Sequence, residues 1–197
     1  IGLYASFEPT FTQLKQQLVN EPENAALHYG LSLLYHRQFR REEELHHLRK
    51  ALSIKIFDSI IVLELGRLYQ KNGEAEKALE MLKPIESDPV LGPMADFYQA
   101  GAYFDLSNLS KAEALYYDVI DKIPSAYPRA YYQLGNIMSL KNQIPLSHYY
   151  LGLFYNEVGE VKNARRHLTK ALEDMDDPVK IEKAEGILRT KQAKWME

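Results

Sequence analysis

The chain has no cysteine, one tryptophan, little net charge and no long apolar run. Without cysteine it has no disulfide, no thiol nucleophile and no thiolate metal ligand. A formal net charge of -3 argues against binding nucleic acid by neutralising phosphates, so we expect no nucleic-acid partner. No run of about 18 apolar residues occurs, so we expect no membrane span. With 197 residues, 46% of them hydrophobic, the chain is long enough for one folded domain.

Sequence motifs that carry catalysis are also missing. The six histidines include no His-Glu-x-x-His string, which in zinc peptidases holds the metal and places a general base beside it. His46 and His47 are adjacent, so their rings are expected to point to different faces of a helix. Glycine-rich phosphate loops and the Gly-x-Ser-x-Gly nucleophile elbow are absent too. We therefore predict no catalytic residue, no metal ligand and no cofactor in this segment, which is expected not to be an enzyme.

What the sequence does contain is a 34-residue repeat. Small residues recur at Ser32, Gly66 and Ala100. A small residue where two antiparallel helices cross lets their backbones approach, and a large residue one turn later fills the space beside it. The period therefore predicts stacked helix pairs. Three further series have the same step: Tyr35, Tyr69 and Tyr103; Leu48, Leu82 and Tyr116; Ala51, Ile85 and Val119.

The repeat resembles the tetratricopeptide repeat (TPR) family, whose period is about 34 residues. The family pattern Leu-Gly-x-x-Tyr, followed by Ala-x-x-x-Leu, occurs twice in full. The resemblance implies an all-α fold, a TPR superhelix that is an α-solenoid of antiparallel helix pairs with a C-terminal capping helix. The two copies are Leu65, Gly66, Tyr69, Ala78 and Leu82, then Leu151, Gly152, Tyr155, Ala164 and Leu168.

The chain is expected to form a single TPR domain with one departure from the period. Leu134-Gly135 and Leu151-Gly152 are only 17 residues apart, which is half a repeat. The helix from about Pro145 to Val158 is therefore predicted to serve two repeats. The chain is predicted to begin within a repeat, which implies a natural sequence that extends upstream. The predicted parts are the second helix of a truncated repeat (1–22), full repeats (24–56, 58–89 and 93–124), the half-repeat region (127–176) and the capping helix (178–197).

Turn residues allow local predictions. Gly73 and Gly159 occupy the turn between the two helices of their repeats and predict a left-handed backbone there. Phe39 stands at the same position of the first full repeat, so that turn is expected to differ. Pro84 lies inside a second helix and should kink it or end it early. The charged run Arg37–Glu44 is expected to be a solvated turn.

The first helices of TPR pairs line a concave face, so by resemblance their exposed residues are the groove candidates. This face would be basic near its N-terminal end and aromatic toward the middle, which suits an extended peptide with acidic or apolar side chains. The alternative is that these are ordinary surface and packing residues. The candidates are Tyr29, His36, Arg37, Arg67, Gln70, Lys71, Phe97, Phe104, Tyr132, Asn136, Tyr149 and Asn156.

The C-terminal third has a narrower resemblance. Tyr127–Thr190, which includes the half-repeat step, is similar to the TPR tail of bacterial zinc metallopeptidases of the BepA type. This implies a periplasmic, non-catalytic tail that recruits protein or peptide partners, with His-Glu-x-x-His and zinc in an upstream protease domain. The alternative is a free-standing TPR adaptor or scaffold in envelope assembly or secretion. A cytoplasmic location is the alternative to the periplasm.

Overall fold

The computed structural model describes residues 10–123 and 125–193, and these ranges contain eleven α-helices and no β-strand. The chain divides into two compact units, residues 1–95 and 96–197. Predictions for residues 1–9, for the repeat end at Pro124 and for residues 194–197 lie outside the described residues. The helices are α1 (Phe11–Asn20), α2 (Ala25–Arg37), α3 (Arg41–Ile54), α4 (Ser59–Lys71), α5 (Ala75–Leu82), α6 (Gly92–Asp105), α7 (Leu109–Lys122), α8 (Arg129–Leu140), α9 (Ile144–Glu157), α10 (Val161–Leu172) and α11 (Pro178–Ala193).

One turn conformation recurs between paired helices. Each turn has one residue with φ between 58° and 78°. The next residue donates its N–H to the carbonyl five residues earlier, as Arg40 does to Tyr35 at 3.0 Å. The expectation that the Phe39 turn differs is therefore wrong, because this hydrogen bond holds Phe39 left-handed despite a strain of roughly 1–2 kcal/mol. The residues with positive φ in these turns are Phe39, Gly73, Ser107, Asn142 and Gly159, and Phe57, between α3 and α4, has a φ of 68° outside them.

Pro84 shortens the second helix of its pair. α5 has eight residues, whereas α3 and α7 have 14 each. Proline has no N–H to donate and its ring collides with the preceding turn. The α-helix therefore ends at Leu82 and continues as a 3-10 turn over Lys83–Ile85. The predicted early end of this helix is confirmed.

Three helix pairs share one glycine–leucine contact. A Cβ built on Gly66 of α4 would lie 2.3 Å from Cγ of Leu82 of α5. The corresponding distances are 2.8 Å from Gly135 to Cγ of Leu151, and 2.7 Å from Gly152 to Cγ of Leu168. Each leucine follows its glycine by 16 residues. Because Leu151 and Gly152 are neighbours, α9 is the second helix of one pair and the first of the next, so the 17-residue step corresponds to a helix that packs against both α8 and α10.

Each unit buries its own apolar residues. In the first unit, Leu14 of α1 packs with Leu31 and Tyr35 of α2. In the second unit the core joins Ala100 of α6 to residues of α7, α8, α9 and α10, and Ala184 of α11 belongs to it with 1% exposure. Ile187, also on α11, packs against the same core. α11 therefore covers an apolar surface of the second unit, as a terminal helix of a repeat array must. The predicted all-α class of antiparallel helix pairs with a C-terminal capping helix is confirmed.

Candidate functional site

A buried ion-pair network gathers several predicted candidates in the first unit. Arg67 of α4 donates from Nη2 to Oε1 of Glu44 of α3 at 2.5 Å. It also donates from Nε to Oε2 of Glu64 at 2.6 Å. Nδ1 of His36 lies 3.1 Å from the same Oε1 of Glu44. The side chains of α2, α3 and α4 are thus linked through Glu44.

The network changes the character predicted for this surface. Arg67 is 6% exposed, so the prediction of an exposed Arg67 is wrong. Glu44 is 2% exposed, so the prediction that the run Arg37–Glu44 is a solvated turn is wrong at Glu44. Burial by itself would lower the pKa of Arg67, but Glu64 and Glu44 raise it above its ordinary value. Two carboxylates thus match this guanidinium, because a buried charge persists only with partners. The predicted basic character is therefore absent at Arg67.

The remaining candidates of the first unit surround this network. Tyr29 is half-buried, and its pKa is raised by burial and by the negative charges of Glu64 and Asp58. Arg37 and Lys71, each at the last position of its helix, are exposed, and Gln70 is half-buried. His36 is exposed as predicted.

In the second unit some predicted aromatic residues are packing residues. Tyr149 is 4% exposed, so the prediction of an exposed Tyr149 is wrong. Burial raises its pKa to about 12. Phe97 is half-buried, with ring centroids 4.7 Å from Tyr127 and 5.8 Å from Tyr116. Phe104 is half-buried against the same core. These rings stabilise the fold rather than offering a free surface.

We use the name α8–α9 strip for four residues of these two contacting helices: Tyr132 and Asn136 of α8, and Phe154 and Asn156 of α9. Tyr132 is 41% exposed, and its ring centroid lies 5.4 Å from that of Phe154, edge to face. Asn136, one turn after Tyr132, is half-buried and donates from Nδ2 to Gln133 at 3.0 Å. Oδ1 of Asn156 is buried and accepts no hydrogen bond from the described residues. Phe154 was not among the predicted candidates.

A histidine pair that the sequence analysis missed joins α2 to α3. Nδ1 of His28 lies 2.8 Å from Nδ1 of His47. Nε2 of His28 lies 3.1 Å from the carbonyl oxygen of Pro22. Since a carbonyl only accepts, His28 carries its proton on Nε2 and its Nδ1 accepts from His47. Burial, then the neighbouring His28, lowers the pKa of His47 to about 4, so His47 is neutral at pH 7.

The same arrangement recurs between α9 and α10. Nδ1 of His148 lies 3.0 Å from Nδ1 of His167, and burial lowers the pKa of both rings. The partners are 19 residues apart in both pairs. The second ring stacks in each case on a tyrosine seven residues after the first histidine, here Tyr155 at 5.3 Å. That repeated spacing was the available sequence signal. Within residues 10–123 and 125–193, no three His, Asp or Glu side chains come together to hold a metal ion.

Comparison with known proteins supports the helical-repeat fold. The sequence profile of the Tetratricopeptide repeat family matches residues 63–128. No curated protein sequence matches the chain. Within the described ranges, every helix is too short or too polar to cross a bilayer.

Solved structures similar to this chain include those of PilW, YrrB and MamA. PilW, a type IV pilus biogenesis factor, has a TM-score of 0.63 at 17% identity, over 83% of each chain. YrrB, a TPR protein with an unusual peptide-binding site, has 0.63 at 18% identity, over 81% of each chain. MamA from Desulfovibrio magneticus RS-1 has 0.62 at 17% identity, over 82% of this chain and 81% of MamA. At such identities the likeness establishes the fold alone, so the chain has the all-α fold of TPR proteins, and residues 63–128 match the Tetratricopeptide repeat family.

Proposed function

We propose that the chain is a protein-interaction module that binds an extended segment of another protein along the α8–α9 strip. The observation that carries this proposal is the exposure of Tyr132. Thirteen tyrosines lie in the described ranges, and Tyr132 is the one among them that is exposed rather than buried or half-buried. Aromatic rings that remain accessible beside a second ring are typical anchors of protein interfaces.

The polar members of the strip suit a peptide backbone. The side chain of Asn136 can donate and accept, so it can pair with both groups of a peptide unit. The unsatisfied Oδ1 of Asn156 needs a donor, and buried acceptors without one are uncommon in folded proteins. A backbone N–H of a bound segment would supply that donor after a small rotation of the amide. Binding would then combine one aromatic anchor with two carboxamides that recognise the main chain.

For the parent protein, we infer that this segment is the partner-recruiting tail of a zinc metallopeptidase in the bacterial periplasm. The support is the resemblance of Tyr127–Thr190 to BepA-type tails together with α9, the helix shared by two pairs. Zinc would belong to an upstream domain that carries the His-Glu-x-x-His string, which the sequence of this segment lacks. The second candidate, a free-standing adaptor, is favoured by the fold likeness to PilW.

The binding proposal is tested with peptides selected from a random phage-displayed library on the purified chain. The dissociation constant of the best peptide is then measured by fluorescence anisotropy. Tyr132→Ala should weaken binding at least tenfold and Asn136→Ala at least threefold. The control is Val179→Ala, because Val179 is also an exposed apolar residue but lies on α11, outside both helices of the strip, and it should change binding less than twofold. Equal affinities for all variants would contradict the strip as the binding site.

The parent-chain proposal has a separate test. The reading frame that encodes this segment is sequenced in full in its source organism. A signal peptide and a His-Glu-x-x-His motif upstream support the periplasmic peptidase. A frame that carries neither would leave the adaptor as the better proposal, without affecting the peptide experiment.

A further inference from the structure

α10 has an unusual charge composition for a helix of this chain. It carries four cationic residues and no acidic residue in twelve positions. α7, by contrast, has two lysines and three acidic residues in fourteen. The chain as a whole has a formal net charge of -3, so this helix opposes the overall sign. The four cations, which we call the α10 basic face, are Lys162, Arg165, Arg166 and Lys170.

These cations lie on one side of the helix. Lys162, Arg166 and Lys170 follow one another at intervals of four residues, and Arg165 lies three residues after Lys162, so all four lie on the same side of the helix. The opposite side buries Ala164, Leu168 and Ala171 in the core. All four cations are exposed, and together with His148 and His167 they line a cavity of about 610 Å³. The charges are thus concentrated around one concave surface.

Three of the four cations, Lys162, Arg165 and Arg166, do not stabilise the helix that carries them. Lys162 is three and four residues from Arg165 and Arg166, and Arg166 is four residues from Lys170, so three like-charge pairs repel along the stripe. Lys162 also lies in the first turn, beside the positive end of the helix dipole. Lys170 pairs with Glu173 at 2.5 Å. The other three cations form no ion pair with any described residue. Helix stability therefore does not explain their placement.

We propose that the α10 basic face binds an acidic segment of a partner protein. The complementary charge of such a segment would relieve the repulsion among Lys162, Arg165 and Arg166. A membrane surface fits less well, because the face has no apolar residue to enter the lipid boundary. Single-stranded nucleic acid also fits less well, since the two imidazole rings at this surface, His148 and His167, are paired with each other and His167 already stacks on Tyr155. The other exposed side chains that line the cavity are the small and polar Thr169 and the carboxylate of Glu173, which pairs with Lys170.

The size of the face indicates the length of this segment. Lys162 and Lys170 are eight residues apart, which corresponds to roughly 12 Å along a helix axis. An extended chain places every second side chain on the same side, roughly 6.6 Å apart. About three acidic side chains, within five or six residues, would therefore face the four cations. This inference takes from the proposed function only that the partner is a protein.

The experiment measures binding of a fluorescein-labelled peptide of four Glu-Ser repeats by anisotropy, at 50 mM NaCl and again at higher salt. A peptide of four Gln-Ser repeats is the neutral control. The triple variant Lys162→Gln, Arg165→Gln, Arg166→Gln should bind the acidic peptide at least tenfold more weakly than the unchanged chain. The control triple Arg41→Gln, Lys83→Gln, Arg129→Gln removes the same charge from exposed, scattered positions and should change binding less than twofold. The affinity should fall as salt rises.

Three results would overturn the proposal. The first is that the acidic peptide fails to bind the unchanged chain, and the second is that the two triple variants lose affinity for it equally. The third is that the neutral peptide binds the unchanged chain as tightly as the acidic peptide does. Tighter binding of phosphatidylglycerol vesicles or of a 12-nucleotide DNA strand, abolished by the α10 triple variant, would assign the face to a different class of partner. Far-UV circular dichroism of each variant confirms that the helices are intact. Tyr132→Ala should leave acidic-peptide binding unchanged, so failure here is distinguishable from failure of the α8–α9 strip.

Discussion

Gly66→Ala tests the tightest of the glycine–leucine contacts. The added Cβ would lie 2.3 Å from both Cγ and Cδ2 of Leu82, and 3.0 Å from its Cδ1. Carbon atoms in contact are normally about 3.5–4.0 Å apart. Leu82 is fully buried, and Cγ is the branch point of its side chain, so a change of rotamer cannot remove the overlap. We therefore expect α5 to move away from α4 by roughly 1.2 Å or more.

Two opposing effects set the magnitude. Overpacking a core costs about 1–3 kcal/mol, and a displaced branch carbon places this site in the upper half of that range. Replacing a glycine by alanine inside a helix returns up to about 1 kcal/mol. The net loss of unfolding free energy for Gly66→Ala should be about 1–2 kcal/mol. Gly66→Leu should cost several kcal/mol, because the longer side chain has no space at this crossing.

The assay is urea unfolding followed by circular dichroism at 222 nm. Gly186→Ala is the matched control, because a Cβ built on Gly186 of α11 meets no atom within 4 Å, and it should raise stability by about 0.5–1 kcal/mol. Leu82→Ala removes the atoms in conflict, so Gly66→Ala combined with Leu82→Ala should lose less than the sum of the single losses. A Gly66→Ala chain as stable as the unchanged one, or strict additivity with Leu82→Ala, would refute the close crossing.

Two further predictions concern buried polar groups. Arg67→Met leaves Glu44 buried without its guanidinium partner and should lower the free energy of unfolding by about 3–5 kcal/mol. The exposed control Arg41→Gln should change the free energy of unfolding by less than about 0.5 kcal/mol. Similar urea midpoints for the Arg67→Met and Arg41→Gln variants would contradict the ion-pair network. The pKa of His47 is about 4 in the folded chain against 6.5 ordinarily, so the unfolded chain takes up this proton first. The contribution of His47 to the free energy of unfolding is therefore complete above pH 6.5 and is lost as the pH falls toward 4. Because solvent screens the half-exposed ring, this loss should be about 1–2 kcal/mol. The difference in urea midpoint between pH 7.5 and pH 4.5 should be smaller for His47→Gln than for the unchanged chain. An equal difference in the two chains would exclude a contribution of His47 to the pH dependence of stability.

The candidate groove was only partly predictable from residue spacing. Spacing identifies which residues share the outer side of a helix, but it does not identify what packs there. Arg67 lies on the predicted side of α4 and is buried because Glu44 of α3 meets it. Tyr149 lies on α9, which contacts helices on two sides, and is buried for that reason. Tyr132 is exposed as predicted. Its neighbour Phe154 was missed, because the 34-residue pattern does not mark its position.

The sequence by itself determined the helix pairs, the early end of α5 and the step that makes α9 a shared helix. These features depend on neighbours along the chain: the missing N–H of Pro84, and a glycine that admits a leucine 16 residues later. Only the tertiary structure decided the Glu44–Arg67 ion pair and the histidine pairs. The ion pair joins residues 23 apart and each histidine pair joins residues 19 apart. Their hydrogen bonds and lowered pKa values arise only when packing removes these side chains from water.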